Sequence, residues 1–203
     1  MTTNKANVSE LICTRISHDI IGNIGAVANA VELLEEGDMD FLDDIKSILK
    51  VSSSVLSARL KFFRMAFGLN NSNLEDINTV KSVTEAYLKT LGNSNYPINI
   101  DLELKSADFC RIAMLVIMIL ADVIIKGGKI EAREIDTGFV AIIHSENNLS
   151  VEKINNIKNI LQNNNIEGMA QYAPVVYLQK VLNNDKKVHI IEENTFGLII
   201  KRG

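Results

Sequence analysis

Apolar residues recur every three or four positions from about Val8 to Phe67, and beyond that point the period changes. The first pattern predicts two long helices, about Val8–Glu36 and Met39–Phe67, since a 3.6-residue repeat returns a side chain to one face at those spacings. No proline interrupts residues 8–68. Gly37 and Asp38 separate the two runs, and Gly68 follows the second, as helix stops do. So short a turn makes the helices antiparallel, a hairpin. The polar string Asn70-Asn71-Ser72-Asn73 reads as a linker.

The second half alternates short periods with helical ones. A helix is predicted at about 76–91, a strand at 97–104 and a strongly apolar helix at 107–126, which Gly127 and Gly128 end. Strands follow at 129–135 and 138–144, helices near 150–163 and 171–183, and strands near 187–192 and 195–201. This order predicts an α+β fold with helices on one face of a mostly antiparallel sheet. The expected domains are a hairpin at 1–69 and a sandwich at 74–203.

The first helix has two faces when its residues are placed at 100° intervals. Ile16, Ile20, Ile24, Val27, Val31 and Leu34 form an apolar stripe, read as the core seam. Leu11, Arg15, His18, Gly22, Gly25 and Asn29 lie opposite, so His18 is expected to face solvent. Glycine inside a helix costs about 1 kcal/mol relative to alanine. Gly22 and Gly25 therefore suggest either close approach by another protein beside His18 or a tight crossing with a neighbouring helix. The second helix carries a wide apolar belt between Phe41 and Phe63. A hairpin cannot cover both its flanks, so two copies packed as a four-helix bundle are expected, unless the C-terminal half covers the excess.

Composition narrows the function. Of 203 residues 47% are apolar, enough for a substantial core. The net charge of -4 and a pI near 5.4 offer no broad cationic surface, so nucleic acid is not an expected partner. The polar start of the chain shows no leader pattern, and the run Ile112–Ile125 is broken by Asp122 and too short to span a bilayer. Cys13 and Cys110 read as reduced thiols of a cytoplasmic protein. His144 and His189 fall in predicted strands and read as structural. Lys126-Gly127-Gly128-Lys129 reads as a turn. No catalytic triad or metal motif is present.

The string Arg15-Ile16-Ser17-His18-Asp19 on a long helix, followed by a helical hairpin, resembles the dimerisation and phosphotransfer domain of sensor histidine kinases. The proline usual five residues after the histidine is replaced by Asn23. A closer resemblance is to the ChpT-type histidine phosphotransferases, carried by Arg15, His18-Asp19, Gly25-Ala26, Asn29, Glu32-Leu33-Leu34 and the segment Leu60–Gly68. It covers residues 11–68; the remainder resembles a kinase ATP-binding domain in layout only. The helix Arg111–Asp122 lacks the paired asparagines of that domain, Asp136-Thr137-Gly138-Phe139-Val140 lacks the second glycine of its adenine loop, and Glu167-Gly168-Met169-Ala170 has a single glycine. Backbone cannot wrap phosphates closely without such glycines.

The resemblance implies a phosphorelay intermediate with no ATP or metal of its own. His18 would accept the phosphoryl group and Asp19 would orient it. Arg15, Gly22, Gly25, Asn29 and Arg64 would meet the partner. The expected partners are receiver domains of response regulators, which bring the magnesium ion, a receiver of a hybrid kinase, and a second copy of the chain. Gly22 stands where phosphatase-active relatives carry a water-orienting side chain, so little dephosphorylation is expected. The alternatives are a dimeric scaffold that binds receivers without carrying phosphate, and a divergent histidine kinase.

Overall fold

The computed structural model describes residues 7–37, 41–69, 74–147, 149–163, 170–183, 185–192 and 195–202. Helix α1, Val8–Glu35, starts where the Asn7 side chain accepts from Ser9 N–H, a side-chain cap on one of the four free amides of a helix start. It ends at Gly37, whose positive φ of 76° suits a residue without a Cβ. Helix α2, Leu42–Phe67, returns antiparallel. Asp38, Met39 and Asp40 and the expected linker at 70–73 lie outside the described residues.

The rest follows the predicted order: α3 (Ile77–Lys89), β1 (Ile98–Glu103), α4 (Cys110–Val123), β2 (Gly128–Ile135), β3 (Gly138–His144), α5 (Val151–Asn163), α6 (Ala173–Leu182), β4 (Lys186–Ile191) and β5 (Gly197–Arg202). The five strands form one sheet in the order β1-β2-β3-β5-β4. Only β1 and β2 run parallel; the other pairs are antiparallel. Parallel neighbours need a crossover, and α4 supplies it between them. Alternate residues of the strands, such as Ile130 and Ala132 or Phe139 and Ala141, are buried while their neighbours are more open, so one face of the sheet is covered.

Helix α4 is the axis of the core. Twelve of its fourteen residues are buried, leaving Arg111 and Asp122 as the exceptions. Burying each large aliphatic or Met side chain contributes about 1.5–3 kcal/mol. The same core runs on into the hairpin through Leu11, Phe62, Phe63, Met65 and Ala66. Phe62 stacks on Tyr87 of α3 at 3.9 Å between ring centroids, and Phe67 meets Tyr177 of α6 at 5.5 Å. The open end of the hairpin is thus welded to the sheet half, while its turn end projects beyond it.

That projection corrects the reading of α1. The stripe taken as a core seam is not sealed within one chain: Ile16, Ile20 and Val27 are half-buried, and Ile24, Val31 and Leu34 are exposed. The buried residues of α1 are Leu11, Arg15 and Ala30. The opposite stripe is covered at its N-terminal end, where α6 and the 3-10 turn Ala170–Tyr172 pack against α1, and is more open beyond it, with His18, Gly22 and Asn29 exposed. The C-terminal half therefore covers part of the hairpin and not its whole apolar excess. Among the described residues no helix is long and apolar enough to cross a membrane.

Candidate functional site

His18 stands at the edge of that cover. Its side chain is 84% exposed, and its Nδ1 faces Asp19 Oδ1 at 3.3 Å. Asp19 is far less free, at 15% exposure. Its second oxygen, Oδ2, accepts from Arg15 Nε at 2.7 Å, and its backbone carbonyl accepts from Arg59 of α2. Arg59 also donates to the side chain and the carbonyl of Thr90, each at 3.1 Å, which ties α2 to the end of α3.

Arg15 sits differently from the sequence reading, which placed it on the open face with His18, where it would meet the partner. Its side chain is 9% exposed, and its forked end grips Asp122 of α4 with Nη1 to Oδ2 at 2.9 Å and Nη2 to Oδ1 at 2.8 Å. Nη1 also donates to the Gln171 carbonyl at 2.7 Å. The physical reason is α4 itself. A carboxylate at Asp122, on an otherwise apolar buried helix, needs a cation and hydrogen bonds, and Arg15 is the side chain that reaches it. Burial opposes the arginine's charge, but Asp122 and then Asp19 outweigh it and hold Arg15 more firmly protonated than a free guanidinium. Burial in turn pushes the Asp122 carboxyl up, with Arg15 acting against it.

A cavity of about 540 Å³ opens beside these groups, lined by His18, Asp19, Arg59, Asp122, Lys153 and Gln171 among others. Lys153 donates to the Asp122 carbonyl at 2.7 Å. A larger depression is lined by His144, Ser145 and Thr195 and shares no lining residue with this cavity.

The remaining expected site residues fall along the hairpin. Gly22 and Asn29 are exposed on α1 and Gly25 is half-buried. A Cβ added at Gly22 or Gly25 would meet nothing within 4 Å, so neither glycine is required by a crossing inside this chain. Arg64 is exposed in the last turn of α2. Arg59 lies level with Asp19, so Arg64, five residues further along the antiparallel helix, lies roughly 7 Å along the axis toward the start of α1. His144 pairs with Glu131 at 3.2 Å, and His189 is exposed on β4. Among the described residues no group of three or more acidic, histidine or cysteine side chains could hold a metal ion.

Two residues of the cluster escaped the sequence reading. Asp122 had a signal: it is the single charged residue within Ile112–Ile125, and a lone carboxylate in a buried helix calls for a partner. Arg59 had none, since an arginine on an exposed helix flank is common.

Comparison with known proteins adds to this geometry. No family model matches the chain. Over 79 residues it is 43% identical to the protein phosphotransferase ChpT of Brucella abortus (strain 2308), a match covering 39% of this chain and 37% of that protein. The chain resembles ChpT-type phosphotransferases. Its fold is that of a solved bacterial phosphotransferase, with a TM-score of 0.76 over 98% of both chains at 22% identity. A looser match, with a TM-score of 0.42 and 13% identity over 92% of this chain and 97% of the other, is to the Acinetobacter baumannii histidine kinase AdeS. The ChpT-like segment spans little more than a third of the curated relative, and the fold match extends the likeness in shape to the whole chain.

Proposed function

We propose that this protein is a histidine phosphotransferase of a phosphorelay, carrying a phosphoryl group on His18 between aspartates of receiver domains, in the cytoplasm and without using ATP. The observation that carries the reading is the state of His18. One ring nitrogen is held against Asp19, and the ring is otherwise in solvent where a partner's active site can reach it.

The chemistry follows from that arrangement. With the Nδ1 proton directed at Asp19, Nε2 keeps its lone pair. Nε2 attacks the phosphorus of an aspartyl phosphate. The N–P bond forms as the P–O bond to the donor aspartate breaks, and that bond's electrons return to the donor carboxylate. The ring gains positive charge, which the Asp19 carboxylate balances. A second receiver's aspartate reverses the step. In-line placement and charge neutralisation are the main demands, and the receiver brings the magnesium ion. Gly22, Gly25 and Asn29 supply a low surface beside the ring on which a receiver can settle, with Arg64 at its border.

The reading without ATP is supported at the segment Asp136–Val140, while Glu167, Gly168 and Met169 lie outside the described residues. Asp136 and Thr137 form the two-residue turn of the β2–β3 hairpin. Gly138 is a glycine because a Cβ there would collide with the Ile200 carbonyl of β5. Gly127, at φ 57°, packs its backbone against Pro97 in a tight turn.

The test is transfer from a phosphorylated receiver domain to the wild-type chain and to His18→Ala, with ATP alone as control. Acid-labile label on the wild type, absent from His18→Ala and passed to a second receiver, is the expected result. Binding of several receivers without any label would favour a scaffold. Label from ATP alone would favour a kinase.

A further inference from the structure

Arg15 makes four directed contacts through one planar group: Nε to Asp19, both terminal nitrogens to Asp122, and Nη1 also to the Gln171 carbonyl. A guanidinium is rigid, so fixing the fork on Asp122 fixes the direction of Nε. Asp122 sits near the C-terminal end of α4, itself packed into the core. The position of Asp19 Oδ2 is therefore set by the sheet half of the molecule, not by α1 alone. With Oδ2 pinned by Arg15 and the Asp19 carbonyl pinned by Arg59, the remaining oxygen, Oδ1, is the one that faces His18 Nδ1. Without the arginine, a carboxylate on a helix surface would turn among its rotamers, and both oxygens would compete for water.

From this chain of contacts we infer that Asp122 and Arg15 are positioning residues for His18: the α4 carboxylate, acting through Arg15, locks the Asp19 rotamer that holds the Nδ1 proton and leaves Nε2 free to take the phosphoryl group. The inference rests on the phosphotransfer reading above. Asp122 and Arg15 make no bond to phosphorus and exchange no proton in the step. They act as outer-shell partners act on a metal-bound histidine, by fixing tautomer and orientation. The arrangement also gives the sheet half a role in the chemistry that does not involve nucleotide.

A plain clamp between α1 and α4 would use the same ion pair, and the experiment separates the two. Full-length protein with 15N-labelled histidine is compared as wild type, Asp122→Asn and Arg15→Lys. Two quantities are read: the tautomer of the His18 ring from its nitrogen shifts, and the maximal transfer rate from a saturating phosphorylated receiver, alongside the receiver's binding constant. In wild type the Nδ1–H tautomer is expected to dominate. In Asp122→Asn the ring should move toward the Nε2–H form, with transfer slowed about ten- to hundredfold and receiver binding unchanged within about twofold. Arg15→Lys keeps a charge for Asp122 but cannot fork, so it should do the same; it also serves as the second variant should Asp122→Asn not fold. A folded variant with an unchanged tautomer and rate would overturn the inference. If the wild type takes no phosphoryl group from any receiver, the transfer reading falls, and the tautomer measurement alone decides whether Asp122 positions the ring.

Discussion

Truncating Arg15 would leave the Asp122 carboxylate among apolar neighbours with its closest cation gone. Removing one partner of a fully buried ion pair typically costs about 3–5 kcal/mol, and Asp122, with 22% of its side chain exposed, places this pair toward the lower end. Arg15→Ala is therefore expected to lower the melting temperature by on the order of 10 °C, read by scanning calorimetry. A change of only a degree or two would mean that water already solvates Asp122. The two cysteines diverge for a similar reason. Cys13 is exposed on α1, whereas burial, helped by Glu134 and Asp108, pushes the Cys110 thiol up to about 11. Thiolate is the reactive form, so near pH 8 an alkylating reagent should add once to the native chain, at Cys13. Intact mass spectrometry reads this directly, and two adducts on native protein would contradict the burial of Cys110.

At the scale of the helix, Gly22 and Gly25 mark positions with room for a side chain. With no atom within 4 Å of an added Cβ, alanine fits at either position without displacing anything. Helix propensity then favours it by about 1 kcal/mol per site. Gly22→Ala and Gly25→Ala should each raise the melting temperature while weakening receiver binding, measured by titration calorimetry. Unchanged binding in both would remove the partner-approach account of these glycines. The helices and strands themselves were legible in the sequence to within a few residues, because a core helix and a half-covered strand impose different periods. The environment of α1 was only half legible. One helical wheel put Arg15 and His18 on the same side, but it could not show that Asp122 of α4 and the Gln171 carbonyl hold the first while the second stays in solvent. Nor could it show that Ile24, Val31 and Leu34 stay exposed. Which neighbour reaches which turn is tertiary information, carried here by Asp122, a hundred and seven residues away from Arg15.

The whole molecule has an uneven surface. Ile21, Ile24, Val31, Ile48 and Val51 all belong to the hairpin and are exposed, Ile21 and Val51 by about 60%. The described residues of the sheet half leave few comparable side chains open, with Ile125 and Val151 the most exposed. Exposed apolar side chains gathered on the hairpin are what a second copy would bury. Association through two hairpins would make a four-helix bundle in which each supplies cover to the other, and a stable pair needs about 800 Å² from each partner. Two antiparallel helices of 28 and 26 residues, each roughly 40 Å long, can present that area. The expected solution mass is therefore twice the 22.5 kDa of the chain. Ile48→Glu combined with Val51→Glu would place charges in the buried seam, where desolvation is costly, and should shift sedimentation to the monomer at micromolar concentration. Circular dichroism should show the helices retained, since the open end of the hairpin stays anchored by Phe62, Phe63 and Arg15. Because His18 lies outside that seam, monomeric variants should still accept a phosphoryl group. If the wild type already sediments as a monomer, the exposed stripe must serve some other partner.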